Sequence, residues 1–431
     1  MTDLQQTQHR SPLFALGWAV FLGVSWTWVI GMWLPVILLR DFGRHSFLIF
    51  AIPNCLGAAA MGWVIASPAA SRAFLARHAQ ACKLFSWVTF SFQVFVLLQL
   101  WPGQMNLSTP SSEGFWESFS VALPIGVVLV CATKRVRRSS IGPGLAYLVL
   151  AVSMAIGIYY FANYDPALIT RNFQPEQRPP LDSVGLAAVC MFGFILCPYL
   201  DPTFHQARMQ LPSVAEGRFA FTVGFCVIFA SMIGLTFAYG WWELVQSSDA
   251  SRITPADMPR VIALHLGVQV LFKLLAHGGF LTGPPVGQTR TLRLGSILVA
   301  FGIGGLLEVI QSYLHEWDLL HEIGFSDPRF SSFEVIYRGF LSWYGLIFPA
   351  YVWLCSCPIG GFSAGPVKRN IFVLALACVA AAPFYGLAFF GNNYYYAIVG
   401  VLIVLGAKLL TKRVGSERNS SDGDASARPP A

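Results

Sequence analysis

Twelve long, mostly apolar stretches follow one another along this chain of 431 residues, and no other feature limits its fold so severely. They lie at 12–39, 46–66, 82–101, 115–132, 143–162, 184–208, 219–242, 257–281, 293–314, 336–357, 370–390 and 393–411. A helix of about 20 apolar residues crosses the hydrocarbon of a bilayer. Hydrocarbon offers the backbone no partners, so a spanning segment has to satisfy its own amides and carbonyls. The sequence therefore predicts an all-α integral membrane protein with about 12 transmembrane helices. Composition agrees. Hydrophobic residues make up 55% of the chain and charged residues 11%, against roughly 25% charged in a soluble domain. The mean hydropathy is +0.59.

The formal net charge of +7 raises nucleic acid as a partner, but the distribution of the charge argues against it. The densest run, Lys134-Arg135-Val136-Arg137-Arg138, sits between two apolar stretches, where orientation signals collect. Counted over alternate connections, one side holds sixteen Lys and Arg and the other eight, and the second side also holds most of the acids. Basic residues mark the cytoplasmic side, so both termini are expected in the cytoplasm. The first apolar stretch has no small-residue cleavage site behind it and is expected to remain as a helix. Residues 414–431, rich in Ser, Asp, Arg and Pro, are expected to be disordered.

Two apolar stretches carry helix breakers. The first contains Gly31-Met32-Trp33-Leu34-Pro35, and the sixth contains Cys197-Pro198-Tyr199-Leu200-Asp201-Pro202. A proline inside a helix removes one amide and clashes with the preceding turn. Two prolines four residues apart should open carbonyls on one side, with Asp201 inside the opening. An acid in a membrane segment points to function; the plainer reading makes Asp201 a wet cap at the end of a short helix. Trp26, Trp28 and Trp33 beside the first break are suited to line a solute cavity, or simply to pack. In the second stretch, Gly57-Ala58-Ala59-Ala60-Met61-Gly62 reads as a face for close helix packing. The nine Cys lack metal-type spacing and read as small hydrophobes.

The eighth stretch holds His265, Gln269, Lys273 and His277, spaced four apart and so on one helix face. A charged side chain at mid-bilayer costs about 2.5–3.5 kcal/mol on insertion scales. Lys273 must then face the bundle with a partner, lose its proton, or snorkel to the surface. Glu308 and Gln311 on the ninth stretch are a possible acidic and polar partner pair.

These residues carry a resemblance. The run from Trp28 to Gly62, with G-M-W-L-P and then L-G-A-A-A-M-G, followed by Trp63, Arg72 and Arg77, resembles the sodium:solute symporter family. So does the segment 192–208, F-G-F-I-L-C-P-Y-L-D-P-T-F-H-Q-A-R, and the S-V-A-E-G-R at 213–218 resembles a basic loop of that family. The resemblance covers about a third of the chain. It implies a leucine-transporter-type fold with a 5+5 inverted-repeat core and broken helices 1 and 6. On that reading 1–11 is a cytoplasmic N-terminus, 12–162 and 184–357 are the two five-helix repeats, and 370–411 is a peripheral helical hairpin. Two positions depart from the family. Val24-Ser25-Trp26-Thr27-Trp28 has no acid, and the eighth stretch lacks the hydroxyl pair of the family's sodium site.

The expected function is a secondary active transporter, symporter-like, that moves a small organic solute by alternating access. Trp28, Gly31, Trp33, Pro198, Tyr199 and Asp201 are the expected solute-binding residues. Lys273, Gln269 and His265 are the expected ion-coupling residues, with Lys273 either exchanging a proton or acting as a fixed internal cation. A non-transporting sensor or scaffold of the same fold is the alternative. A membrane enzyme lacks support, because no H-E-x-x-H, G-x-S-x-G or P-loop pattern is present. No cofactor is expected beyond Na+ or H+ as coupling ion. The expected partners are a small-molecule solute and the lipid bilayer, without nucleic acid. The expected location is a bacterial inner membrane. The sequence names neither the solute nor an oligomeric state.

Overall fold

A computed structural model describes residues 12–27, 29–99, 141–163, 178–246, 260–281, 298–307, 309–311, 327, 330–357 and 368–411. The described elements are all helical. In chain order they are α1 (Pro12–Thr27), α2 (Val29–Met32), α3 (Leu34–Phe42), α4 (His45–Val64), α5 (Pro68–Arg77) and α6 (Ala79–Gln99). Then come α7 (Ile141–Ala162), α8 (Pro180–Leu196), α9 (Pro202–Gln210), α10 (Val214–Val223), α11 (Ala230–Gln246) and α12 (Arg260–Leu281). The last are α13 (Leu298–Gln311), α14 (Ser332–Ser342), α15 (Phe348–Tyr351), α16 (Lys368–Phe389) and α17 (Tyr395–Ala407). Among the described residues eight helices are long and apolar enough to cross a membrane, and a ninth span arises if the bent first pair counts as one. Leu298–Gln311 and Tyr395–Leu410 are shorter apolar helices. The expected span at 115–132 lies outside the described residues, as do the tail from 412 and Glu308.

Burial separates core from periphery. Two-thirds of the apolar windows of α6 and of Ser332–Ser356 are buried, against 28% for α7 and α16. The exposed side chains of α16, such as Phe372 and Val379, are the apolar belt that lipid would cover. α16 and α17 are joined through Gly391-Asn392-Asn393, with Asn392 in the left-handed region at φ 57°, a conformation Asn tolerates better than most residues.

Close packing follows the small residues. A Cβ on Gly57 would collide with the Phe194 carbonyl, so α4 and α8 touch backbone to backbone as the small-residue string predicts. α1 crosses the helix pair α10–α11 in the same manner, with Gly23 against the Gly224 carbonyl. Between α10 and α11 the chain makes a π-helical turn, Gly224–Phe229, a wider coil of the kind that clusters at functional sites.

Both expected breaks exist, but their details differ from the sequence reading. The first helix bends by 77° between Pro12–Thr27 and Ile30–Phe42, and Trp28 lies outside the described residues. The Gly31–Pro35 motif sits beyond the bend. Pro35 falls in the first turn of α3, where its missing amide would have had no partner anyway. In the sixth stretch, Cys197–Leu200 tightens into a 3₁₀ turn and Asp201 is extended before α9 begins. The S-V-A-E segment, expected as loop, is instead the start of α10. The Ser213 hydroxyl accepts from the Glu216 amide at 3.1 Å, and the Glu216 carboxylate accepts from the Ser213 amide at 3.1 Å. That is a capping box, legible from serine and glutamate three apart.

Candidate functional site

Lys273, in the middle of α12, reaches the two breaks at once. Its ammonium donates to the Ser25 carbonyl at 2.6 Å and to Asp201 Oδ2 at 3.0 Å. Ser25 lies in the last turn of α1, where carbonyls run out of amides within their own helix. Asp201 is the cap of α9: its Oδ1 accepts from the Thr203 amide at 2.8 Å and from the Thr203 hydroxyl at 2.6 Å. One carboxylate oxygen therefore holds the helix start while the other holds the lysine. Both side chains are buried, Asp201 at 0% exposure and Lys273 at 1%. Neither snorkels nor stands wet, so each relies on the other for its charge.

Around this pair the neighbours are polar. His277 Nε2 stands 3.8 Å from Asp201 Oδ1, and its Nδ1 is 3.0 Å from the Ser86 hydroxyl of α6. The Trp26 ring lies 5.7 Å from the ammonium, and its indole N–H donates to Asn54 Oδ1 at 2.5 Å. The Ser25 and Thr27 hydroxyls turn back onto carbonyls of their own helix, at Leu22 and Gly23. They are spent on α1 rather than pointed at a ligand.

The predicted polar stripe on α12 divides between two neighbours. Lys273 and His277 face the breaks and α6. His265 and Gln269 instead meet Ser153 of α7, at 2.8 and 3.0 Å. The remaining predicted residues are spread more widely. Gly31 packs against Phe229 and Ile233 of the α10–α11 pair. Trp33 sits edge-on to Phe333 of α14, with ring centroids 5.8 Å apart. Pro198 and Tyr199 are buried in the 3₁₀ turn. The carbonyls that the prolines were expected to leave open are used: Pro198 accepts from the Asp201 amide, and Tyr199 bonds to His205 Nε2 at 2.9 Å.

Sequence reasoning missed several of the partners. Ser86, Ser153 and Asn54 are small polar residues in apolar runs, and their only signal was that isolation. It also missed a buried charge cluster at the far end of α3. Arg40 and Arg338 grip Glu334 at 2.7–2.8 Å, Arg338 also reaches Asp41 at 2.7 Å, and Arg178 donates to the carbonyls of Asp41 and Asn392. The cluster ties the second half of the broken first helix to α14 and to the α16–α17 connection. A separate small apolar pocket lies behind α3, lined by Leu34, Leu38, Leu186, Val189, Phe389 and others. No predicted site residue lines it.

No protein-family model and no curated protein matches the sequence. Among solved structures, the fold is similar to that of a Na+-coupled sialic acid symporter in a substrate-bound outward-open state. The TM-score is 0.52 at 14% identity, over 91% of this chain and 88% of that one. A manganese transporter of Eremococcus coleocola, in complex with an aromatic bis-isothiourea substituted compound, overlaps more loosely. There the TM-score is 0.47 at 13% identity, over 92% of this chain and 94% of that one. The chain is thus an all-helical integral membrane protein with a transporter fold.

Proposed function

We propose that the chain is a secondary active transporter for a small organic solute, a divergent relative of the sodium:solute symporters with Lys273 as its built-in cation. The observation that carries this reading is the buried Lys273–Asp201 pair, which joins the end of α1 to the start of α9. Alternating access moves helices around a fixed site, and unwound backbone with helix ends forms that site. An ammonium held by a main-chain carbonyl and a carboxylate takes the oxygen partners that a hard cation would take. The absence of an acid and of the hydroxyl pair at the family's sodium positions supports the same reading. Trp28, Gly31, Trp33, Pro198 and Tyr199 belong to the segments that would move past the solute. The Arg40–Glu334–Arg338 cluster would close one end of the pathway.

The test is solute uptake into proteoliposomes, run with sodium and proton gradients imposed separately. Binding is compared in sodium, potassium and choline buffers. The expected result is uptake, with equal binding in all three buffers. Binding that requires sodium would overturn the built-in cation, and binding without any flux would make the chain a sensor or scaffold of this fold.

A further inference from the structure

Three side chains of α6, Trp87, Ser91 and Gln93, hold a buried polar atom without a hydrogen-bond partner. Gln93 is 0% exposed, and neither its Oε1 nor its Nε2 has a hydrogen-bond partner among the described residues. Two side chains outside α6 share the defect. Gln269 spends its amino group on Ser153 but leaves Oε1 unpartnered, and the Trp33 indole N–H is unpartnered as well.

The packing brings these groups to a common depth. α6 and α12 lie side by side and meet at Ser86 and His277. Further along α6, Phe95 stacks on Phe333, which meets Trp33 beyond the first break. At the start of α12, His265 meets Tyr239, whose neighbour Gly240 abuts Val36 and Leu39, also beyond the break. The two helices therefore run in opposite directions. Gln93 stands seven residues from Ser86 and Gln269 eight residues from His277, so both amides lie about 10–12 Å from that contact on the same side. Trp33 is tied to this end of α6 through Phe333, on which Phe95 stacks.

A buried amide without partners is penalised, and a chain that needed only to fold would place an apolar residue there. The unmet donors and acceptors are those of two carboxamides and an indole. The complement of a carboxamide is a group with an N–H beside a C=O. Charge narrows the class further. The buried charges on either side are already matched, Lys273 with Asp201 and Arg40 and Arg338 with Asp41 and Glu334. A charged solute would bring a further buried ion with no counter-charge. Aromatic pairs flank Gln93 along α6, with Phe92 stacked on Phe340 at 3.8 Å and Phe95 on Phe333 at 5.6 Å.

We propose that Gln93, Gln269 and Trp33 form a hydrogen-bonding subsite for an uncharged, flat solute carrying an amide-like edge. The proposal rests on the transporter reading only for the route by which the solute arrives.

Thermal unfolding of the purified full chain tests it with three probes of one shape: benzamide, benzoate and benzamidinium. A ligand that binds the folded state raises Tm by mass action. Benzamide is expected to raise Tm, and the two ions are not. Gln93→Leu should leave Tm without probe equal to or above the wild type, because it removes an unpaired amide, while weakening benzamide by about tenfold or more. Gln269→Leu should weaken it likewise, and Gln93→Asn only in part. The subsite is overturned if all three probes act alike, if none acts, or if Gln93→Leu keeps the benzamide response. A lower Tm for Gln93→Leu without probe would show a structural partner for the amide and overturn it too. Benzamide that binds through Gln93 but shows no flux would instead count against the transporter reading and leave the subsite standing.

Discussion

Replacing Lys273 by Met removes the ammonium and leaves Asp201 as a buried carboxylate without a cation. Breaking a buried pair in this way costs about 3–5 kcal/mol, so Tm should fall steeply in the purified protein. Adding Asp201→Asn to that variant should recover much of the loss, because the pair would then be gone as a unit. Solute binding should not recover with it. Lys273→Arg is expected to fail as well, since the wider guanidinium has to fit where an ammonium sits 2.6 Å from the Ser25 carbonyl. A lysine whose only role is to reach the surface would give the reverse: Arg tolerated and Met close to neutral. The two ionisable members of this site were legible because a charge in an apolar run stands out. Their partners were not. The Ser25 acceptor is a backbone atom, which every residue owns, and Ser86 and Ser153 look like any small residue in a packed helix. Gln93 was passed over for the same reason, although a lone amide in an apolar helix is a signal of the same kind as the lysine.

At the scale of helices, the sequence distinguished correctly between packing and breaking. The small residues of α4 predicted a close contact, and Gly57 meets the Phe194 carbonyl. Gly57→Leu should therefore push α4 away from α8 and cost about 1–3 kcal/mol through overpacking. Gly144→Ala in α7, where a Cβ meets nothing within 4 Å, should be silent. Equal melting temperatures for the two variants would remove the backbone contact from the account. The prolines located the second break because the ring forbids the next turn of helix. The first break is wider than its motif: the chain bends before Ile30, and a turn at Trp33 inside Gly31–Pro35 then separates α2 from α3. Gly31–Pro35 looked like a breaker, yet Pro35 begins a helix instead of ending one. The π-helical turns at Gly224–Phe229 and Trp343–Ile347 had no visible cause in the sequence, since they answer to neighbouring helices rather than to local propensity.

For the whole molecule, hydropathy alone carried the class, because a bilayer admits few ways to hide a backbone. Orientation was read from charge and can be checked directly. In a background without other thiols, single Cys residues at 136 and 216 should resist impermeant reagents added outside cells. Single Cys residues at 109 and 250 should label. Labelling at 136 from outside would reverse the orientation.

The lysine that bridges the two breaks also sets a condition on how the chain is made. The window Leu264–Leu281 around Lys273 has a mean hydropathy of 1.3, against 2.2 for Lys368–Phe389. On its own, α12 would enter lipid with an unmatched ammonium near its centre, at a cost of about 2.5–3.5 kcal/mol. Its counter-charge lies 72 residues earlier, on a segment that leaves the ribosome first. Asp201 thus has to wait in the membrane, itself unpaired, until α12 arrives. Each of the two helices is poorly suited to lipid alone, and synthesis order makes the acid the host and the lysine the guest. The contact that joins the breaks in the finished protein is therefore also a checkpoint in its insertion.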